Sequence, residues 1–195
     1  STNGSARQAV LGTPSGAIQT PVFMPIATAG SVKTMLAEEV KAIGAQIILG
    51  NTYHLLLRPG PELLTQVGGI KKLMRWDGPM LTDSGGYQVF SLSKINKTDE
   101  DGVTFNSHID GRSLKITPES SMSVQEAIGS DIRMQFDDVA AGVSTRERYE
   151  EAMLRSLRWA ERSKTAHRNS QTSSQLFGII QGGTHEDLRD QSLEG

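Results

Sequence analysis

The chain has 195 residues, 36% hydrophobic and 22% charged, a composition ordinary for one soluble globular domain. Its formal net charge of -2 gives no overall attraction for nucleic acid, so such contacts would need a local patch or sequence outside this chain. Cysteine is absent, which excludes disulfides and cysteine-ligated metals within these residues. No apolar run approaches the roughly 20 residues that span a bilayer, and the polar N-terminus has no secretory signal, so we expect a cytoplasmic protein without membrane partners.

Short apolar runs typical of buried strands alternate with amphipathic patterns that predict helices. The predicted strands are 20–26, 45–49, 79–82, 132–136 and 176–180, and the predicted helices are 37–43, 61–67, 118–128, 144–167 and 186–195. Thr117 is the expected N-cap of the third helix, and Trp159 in the fourth lies on an apolar face that predicts core packing. The alternation favours a parallel sheet built from right-handed crossovers.

One segment interrupts this alternation. The apolar runs 103–105 and 113–116 flank Asp110-Gly111, a pair typical of tight turns, which predicts a β-hairpin inserted after the third strand. No obvious linker divides the chain, so residues 1–195 are predicted to belong to a single domain. Five strands would suit an open doubly wound sheet, or the first part of a (β/α)8 barrel, which needs eight strands to close.

Polar or small residues follow four of the predicted strands at their carboxyl ends. These groups are 50–54 after the second strand, 83–86 after the third, 137–138 after the fourth and 181–183 after the fifth. Ligands of parallel α/β proteins bind at the carboxyl ends of the strands. The sequence therefore predicts one pocket lined by carboxylates, a carboxamide and glycines.

The third group carries the strongest functional signal. Asp83 precedes Ser84, Gly85 and Gly86, and two consecutive glycines let backbone N–H groups approach a ligand closely. A partly desolvated carboxylate in such a place can act as acid or base near neutral pH, although an Asp there can also simply cap the following turn. Tyr87 follows the glycines, where its ring would stack on a flat ligand or form a wall without a ligand role.

The fourth and fifth groups provide further polar contacts. One of Asp137 and Asp138 should point into the pocket, where a carboxylate suits the N–H edge of guanine or a deazaguanine; a metal pair or a turn are the alternatives. Gln181 could donate its amide to a carbonyl such as a purine O6, or lie in a simple loop. The four histidines have no metal-ligand spacing, so no metal site is predicted. The set suits a purine-like base, and equally a sugar phosphate or another polar ring.

Seven motifs, in order, extend over nearly the whole chain. They are TPVFMPI (20–26), GAQIILGNTYHLLLRPG (44–60), LTDSGGYQVFSL (81–92), EDGVTF (100–105), GSDI (129–132), SLRWAERS (156–163) and LFGIIQGG (176–183). Together they resemble the tRNA-guanine transglycosylases, also called queuine tRNA-ribosyltransferases. The resemblance implies a (β/α)8 TIM barrel with a zinc-binding insertion, of which this chain would hold about the first five β/α units.

The resemblance also implies a reaction, in which guanine at the tRNA wobble position is exchanged for a 7-deazaguanine. It assigns acid/base catalysis to Asp83 and base binding to Ser84, Gly85, Gly86, Tyr87, Asp137 and Gln181. The family's nucleophilic Asp and its zinc ligands, three Cys and one His, are expected beyond Gly195, so the chain alone should be inactive. The implied partners are tRNA, guanine or a deazaguanine, and a second subunit in a homo- or heterodimer.

Two departures from the family pattern and two rival readings remain. Val139 stands where many bacterial members, which use the aminomethyl precursor, have Cys. In this respect the segment 136–139 is more similar to members that use queuine, so either base remains possible as the incoming substrate. Residues 27–30 also differ from the usual GTQ pattern. The rivals are a noncatalytic accessory or truncated binding subunit of the same system, and an unrelated α/β sugar-phosphate enzyme.

Overall fold

The computed structural model describes residues 2–92, 96–170 and 172–195, which form a mixed α/β structure. The strands are β1 (Thr2–Asn3), β2 (Ala6–Arg7), β3 (Ala9–Thr13), β4 (Gly16–Thr20), β5 (Ile48–Gly50), β6 (Met80–Thr82), β7 (Asn96–Thr98), β8 (Val103–Asn106), β9 (Ser113–Ile116), β10 (Ile132–Met134) and β11 (Gln175–Phe177). The helices are α1 (Ala37–Ala42), α2 (Thr52–Leu57), α3 (Pro61–Val67), α4 (Ile70–Met74), α5 (Gly86–Leu92), α6 (Pro118–Ile128), α7 (Arg146–Asn169) and α8 (Glu186–Glu194). No helix within the described ranges is both long and apolar enough to cross a membrane.

The chain divides into two compact units, each assembled from three segments. The first comprises Ser1–Asp83, Val124–Arg133 and Ser173–Gln175, and the second comprises Ser84–Ser123, Met134–Thr172 and Leu176–Gly195. Of the five boundaries, those after Arg133 and Gln175 fall within β10 and β11, the one after Asp83 follows β6, and the one after Ser123 falls within α6.

The parallel sheet has the strand order β11-β10-β6-β5. Strand β6 pairs in parallel with β5, where Ile48 lies opposite Met80, and with β10, where Ile132 lies opposite Leu81. This pairing of strands that are separated by helices confirms the predicted α/β class with a parallel sheet.

The predicted first strand, 20–26, is wrong for most of its length. Strand β4 ends at Thr20 after pairing antiparallel with β3, and only Ile26 forms an isolated parallel bridge, opposite Leu49. The physical reason is that Pro21 and Pro25 have no N–H to donate to a ladder. Pro25 still accepts a hydrogen bond from the Leu49 N–H at 2.9 Å.

Other predicted boundaries also shift. The strand predicted over 132–136 ends at Met134, because the Phe136 N–H turns to the Ser163 hydroxyl instead of a neighbouring strand. The strand predicted over 176–180 occupies Gln175–Phe177, and the strand predicted over 45–49 occupies Ile48–Gly50.

Sequence reasoning missed the N-terminal hairpins and the short helices α2, α4 and α5. Helices α3 and α6 have the predicted bounds, and Thr117 accepts from the Ser120 N–H as a cap.

A hydrophobic core and one buried carboxylate stabilise the first unit. The core residues are Ala27, Val40, Ile48, Leu55, Leu64, Ile70, Trp76, Met80, Val124 and Ile128. Asp131, 3% exposed, accepts from Lys71 Nζ at 2.6 Å, from the Met80 N–H at 2.9 Å and from Ser15 through both its N–H and its hydroxyl. The carboxylate therefore connects the turn of the β3–β4 hairpin to the start of β6.

The second unit combines an antiparallel sheet with the long helix α7. Strand β8 pairs antiparallel with β9, with Phe105 opposite Leu114, and also with β7, a third strand that the sequence did not predict. Helix α7 begins after Thr145, whose hydroxyl accepts from the Arg148 N–H at 3.3 Å. Trp159 is fully buried, as predicted, and its ring stacks on Phe136 at a centroid distance of 5.0 Å.

Replacing Asp131 by Ala should lower the free energy of unfolding by on the order of 3 kcal/mol, since it leaves the Lys71 ammonium and the Met80 N–H without their buried acceptor. Urea denaturation measures the loss. Asp77→Ala is the matched control, because its ion pair with Lys41 is exposed on both sides and its removal should leave the unfolding midpoint unchanged. Equal midpoints for the two variants would contradict the anchoring role of Asp131.

Candidate functional site

In the first unit, Asp83 is held at the end of β6 by the start of helix α2. Asn51 Nδ2 donates a short hydrogen bond to Asp83 Oδ2, and the Thr52 N–H donates to Oδ1 at 2.9 Å. The Thr52 hydroxyl donates to the Asp83 carbonyl at 2.6 Å, and the Asp83 N–H donates to the Gly50 carbonyl at 3.3 Å. Both carboxylate oxygens thus accept N–H groups, which fixes the side chain in one orientation.

Asn51 and Thr52 are the residues that sequence reasoning missed at this position. They lie in the polar group after the second predicted strand, but no role was assigned to them. Both are buried, and their contacts with Asp83 follow from the parallel pairing of β5 and β6, which brings Gly50 opposite Thr82. The sequence does show a polar pair directly after a strand. Its contact with Asp83 can be inferred only once that strand is known to be the neighbour of β6.

In the second unit, Asp137 is the centre of a buried polar cluster. The Ser84 hydroxyl donates to Asp137 Oδ1 at 2.8 Å, and Gln181 Nε2 donates to Asp137 Oδ2 at 2.7 Å. The Gly86 N–H in turn donates to the Ser84 hydroxyl oxygen at 3.1 Å. Asp137 is 8% exposed and Ser84 is 4% exposed. Four of the residues predicted from the sequence therefore meet in one hydrogen-bonded set.

Glycines allow this close approach. A Cβ on Gly86 would lie 2.9 Å from the Asp137 carbonyl oxygen and 3.2 Å from Oδ1, so a side chain does not fit there. Gly85 has a φ of 87°, in the left-handed region, and its carbonyl accepts from the Val89 N–H in the first turn of α5. Tyr87, on the same turn, is 62% exposed, so its ring is accessible to a ligand.

Gln181 is fixed through its backbone as well as its amide. Its N–H donates to the Ser192 hydroxyl of α8 at 3.0 Å. Gly183 follows with a φ of 58°, and a Cβ on it would lie 2.9 Å from the ring of Tyr149. The carboxamide that contacts Asp137 is therefore carried by a loop with little room for change.

The two adjacent acids have different partners. Asp138 turns away from Ser84 and Gln181 and forms ion pairs with Arg148 and Arg155 of α7. A carboxylate neutralised by two guanidinium groups is a poor ligand for a cation, so the alternative of an Asp137–Asp138 metal pair gains no support.

The zinc that the family resemblance implies does not fit the residues present. Throughout 2–92, 96–170 and 172–195, no group of three or more His, Cys, Asp or Glu side chains is arranged to hold a metal ion. The sequence also has no cysteine to serve as a zinc ligand. His54 and His185 instead pack against the rings of Tyr53 and Tyr149.

Comparison with known proteins gives the family. The model of the family described as TGT, queuine tRNA-ribosyltransferase, matches residues 2–195. This chain belongs to the queuine tRNA-ribosyltransferase family. The match includes every residue of the Asp83 and Asp137 clusters.

Curated members of the queuine tRNA-ribosyltransferase family are similar along the whole chain. Proteins with this name from Ruegeria sp. (strain TM1040) and Agrobacterium fabrum (strain C58) are 52% and 51% identical over 193 and 195 residues, which cover 99% and 100% of this chain but 51% and 52% of those proteins. The protein from Pelotomaculum thermopropionicum is 54% identical over 187 residues, covering 96% of this chain and 50% of its own length. The chain thus spans about half the length of the curated relatives it matches.

Gly86→Ala should lower the free energy of unfolding by roughly 1–3 kcal/mol, because the new methyl group would collide with the Asp137 carbonyl and carboxylate oxygens. Thermal or urea unfolding measures this loss. Gly142→Ala is the control, since a Cβ there meets nothing within 4 Å. If the two variants are equally stable, the contact between Gly86 and Asp137 is not as tight as described.

Proposed function

We propose that the protein takes part in tRNA base exchange, replacing guanine at the wobble position with a 7-deazaguanine, either queuine or its aminomethyl precursor. The observation that carries this proposal is the Asp137 cluster, in which a buried carboxylate is oriented by Ser84 and Gln181 in a chain of the queuine tRNA-ribosyltransferase family. The similar proteins that carry the name queuine tRNA-ribosyltransferase support this proposal.

Asp137 is the proposed reader of the base. Its two oxygens can accept the N1–H and the exocyclic amino N–H of guanine in parallel, the geometry in which a carboxylate binds two adjacent donors. We assign a carbonyl contact to Gln181, close backbone approach to Gly85 and Gly86, and stacking to the exposed ring of Tyr87.

Asp83 is the proposed acid and base. Base exchange breaks one glycosidic bond and forms another, so the leaving guanine gains a proton and the entering base loses one. A carboxyl group held by Asn51 and Thr52 supplies a fixed position for this transfer. The nucleophile that the family uses is not assigned to any residue of this chain.

The family resemblance also supports proposals about the complete fold, the metal, the assembly and the location of the protein. We propose that the parallel sheet and its helices form about the first five β/α units of a (β/α)8 barrel, in which the β8–β9 hairpin is an insertion after the third strand. Zinc, with ligands outside these residues, a dimeric assembly and a cytoplasmic location complete the proposal. The accessory-subunit and sugar-phosphate alternatives are not favoured by the family match.

Asp83→Asn in the full-length protein should reduce the incorporation of labelled guanine into tRNA by about 10²–10⁴-fold, the usual contribution of a general acid–base group. The amide keeps the size of the carboxylate but cannot exchange a proton in the same way. Asp77→Asn, which alters an exposed carboxylate of the same unit, is the control and should retain full incorporation. Incorporation near the wild-type rate in Asp83→Asn would rule out the acid/base role.

Asp137→Ala in the full-length protein should weaken guanine binding by roughly 1–3 kcal/mol, since the base would lose its paired acceptor. Isothermal titration calorimetry with guanine measures the change, and Asp110→Ala, an exposed carboxylate of the same unit, serves as the control. Unchanged affinity would count against Asp137 as the reader. Binding of inorganic phosphate in place of guanine would instead support the sugar-phosphate alternative.

A further inference from the structure

The backbone that follows strand β10 presents successive residues to opposite sides. Asp137 contacts Ser84 and Gln181, whereas its neighbours Phe136 and Asp138 both contact helix α7. Such alternation is the ordinary geometry of extended backbone. The direction of the Asp137 carboxylate therefore depends on how firmly its two neighbours are attached to α7.

Along this segment, two buried serine hydroxyls of α7 accept backbone N–H groups that would otherwise need a partner on a neighbouring strand. The Phe136 N–H donates to the Ser163 hydroxyl at 3.3 Å, and the Asp138 N–H donates to the Ser156 hydroxyl at 2.9 Å. Midway between these serines, Trp159 stacks on the Phe136 ring with an interplanar angle of 21°. The spacing of three and four residues places all three side chains on one face of the helix.

Two arginines of the same helix hold the Asp138 side chain. Arg148 donates from Nη1 to Oδ2 at 2.9 Å and from Nη2 to Oδ1 at 2.6 Å, a two-point contact that fixes the plane of the carboxylate. Arg155 Nη1 adds a short hydrogen bond to Oδ2. Asp138 is only 2% exposed, and the Arg155 side chain is 12% exposed, so solvent screens this contact weakly.

This attachment restrains the peptide that joins Asp137 to Asp138. The Asp138 N–H and both of its carboxylate oxygens are bonded to α7, so the residue has little freedom to rotate. Asp137 precedes it directly, and its own oxygens meet donors from two other segments of the chain, carried by Ser84 and Gln181. A rotation at Asp138 would shift the backbone of Asp137 and, with it, the carboxylate relative to these donors.

We propose that Asp138, Arg148 and Arg155 form a clamp that acts as a set of positioning residues for Asp137. The clamp holds the base-reading carboxylate in its binding orientation before a base arrives, so that binding requires no further ordering of this segment. This inference rests on the proposed function of Asp137, and it goes beyond that function by naming the residues that set the geometry of the site.

The primary test is Asp138→Asn in the full-length protein, which removes the charge that binds both guanidinium groups while keeping the side-chain size. Guanine affinity measured by calorimetry should fall about tenfold, which corresponds to about 1.4 kcal/mol. A crystal structure of the variant should show the Asp137 carboxylate displaced from Ser84 Oγ or Gln181 Nε2. An affinity within about twofold of wild type, with both contacts retained, would overturn the proposal.

The matched control is Arg162→Gln, which removes a similar two-point pair of the same helix. Arg162 donates from Nε and Nη2 to the two oxygens of Glu119 at 2.7 and 2.8 Å, and this pairing lowers the pKa of Glu119 to about 2. The partners of Arg162 are Glu119 and the carbonyl groups of Glu100 and Asp101, which lie in segments other than that of Asp137 and Asp138. Arg162→Gln should therefore lower stability without changing guanine affinity. An equal loss of affinity in Arg162→Gln and Asp138→Asn would contradict the proposal, because it would show that both ion pairs affect binding only by stabilising the fold.

A milder variant keeps the proposal testable if Asp138→Asn does not fold. Arg148→Lys retains the charge and removes only the two-point geometry, so guanine affinity should fall by about threefold, with Asp137 still buried. Wild-type affinity in this variant would contradict the clamp. Failure of the proposed function would look different: the wild-type protein would not bind guanine, while the Asp138 variant would still displace Asp137 in the crystal.

Discussion

The proposed base-binding function of this chain depends on a carboxylate that is buried and yet kept able to bind. Asp137 loses most of its hydration, which is costly for a charged group unless donors replace the water. The Ser84 hydroxyl and the Gln181 amide supply those donors, one to each oxygen. Because both donors come from segments distant in sequence, their positions depend on the fold, and the absence of a side chain at Gly86 leaves the room that the arrangement needs.

The same principle recurs in the first unit, with different partners. Asp83 receives its donors from Asn51 and from the backbone of Thr52 at the start of a helix, so it is held by the strand next to its own. Asp131 is a buried carboxylate of the same kind with a structural role, because it accepts hydrogen bonds from a hairpin turn and from the parallel sheet. A carboxylate that accepts hydrogen bonds on both oxygens thus serves stability at the start of β6 and is proposed to serve chemistry at its end.

The sequence predicted the helices that begin with a recognisable capping residue or proline. Helix α6 begins with a capping Thr117 and Pro118, and its bounds were predicted correctly. Helix α5 was missed because it begins directly after Gly85, a residue that usually interrupts a helical pattern. The hairpin of β3 and β4 was missed because its strands are short and mostly exposed, so no clear apolar alternation marks them.

The site was predictable in part for a related reason. Asp83, Asp137 and Gln181 were predicted as candidates because they follow apolar strands, and a parallel sheet places ligand-binding groups there. Asn51 and the arginines of α7 were not found, since their contacts depend on strand order and on the rotation of a long helix about its axis, which a single sequence does not reveal. The clamp on Asp138 belongs to this second kind, because Arg148 lies ten positions further along the chain, on a helix whose rotation decides which side chains reach Asp138.

A crystal structure of the full-length protein with guanine would test the central claim most directly. The account predicts that the Asp137 carboxylate accepts the N1–H and the exocyclic amino N–H of guanine at about 3 Å, while Asp138 remains bound to Arg148 and Arg155. Guanine bound elsewhere, or bound with Asp137 outside hydrogen-bonding distance, would contradict it.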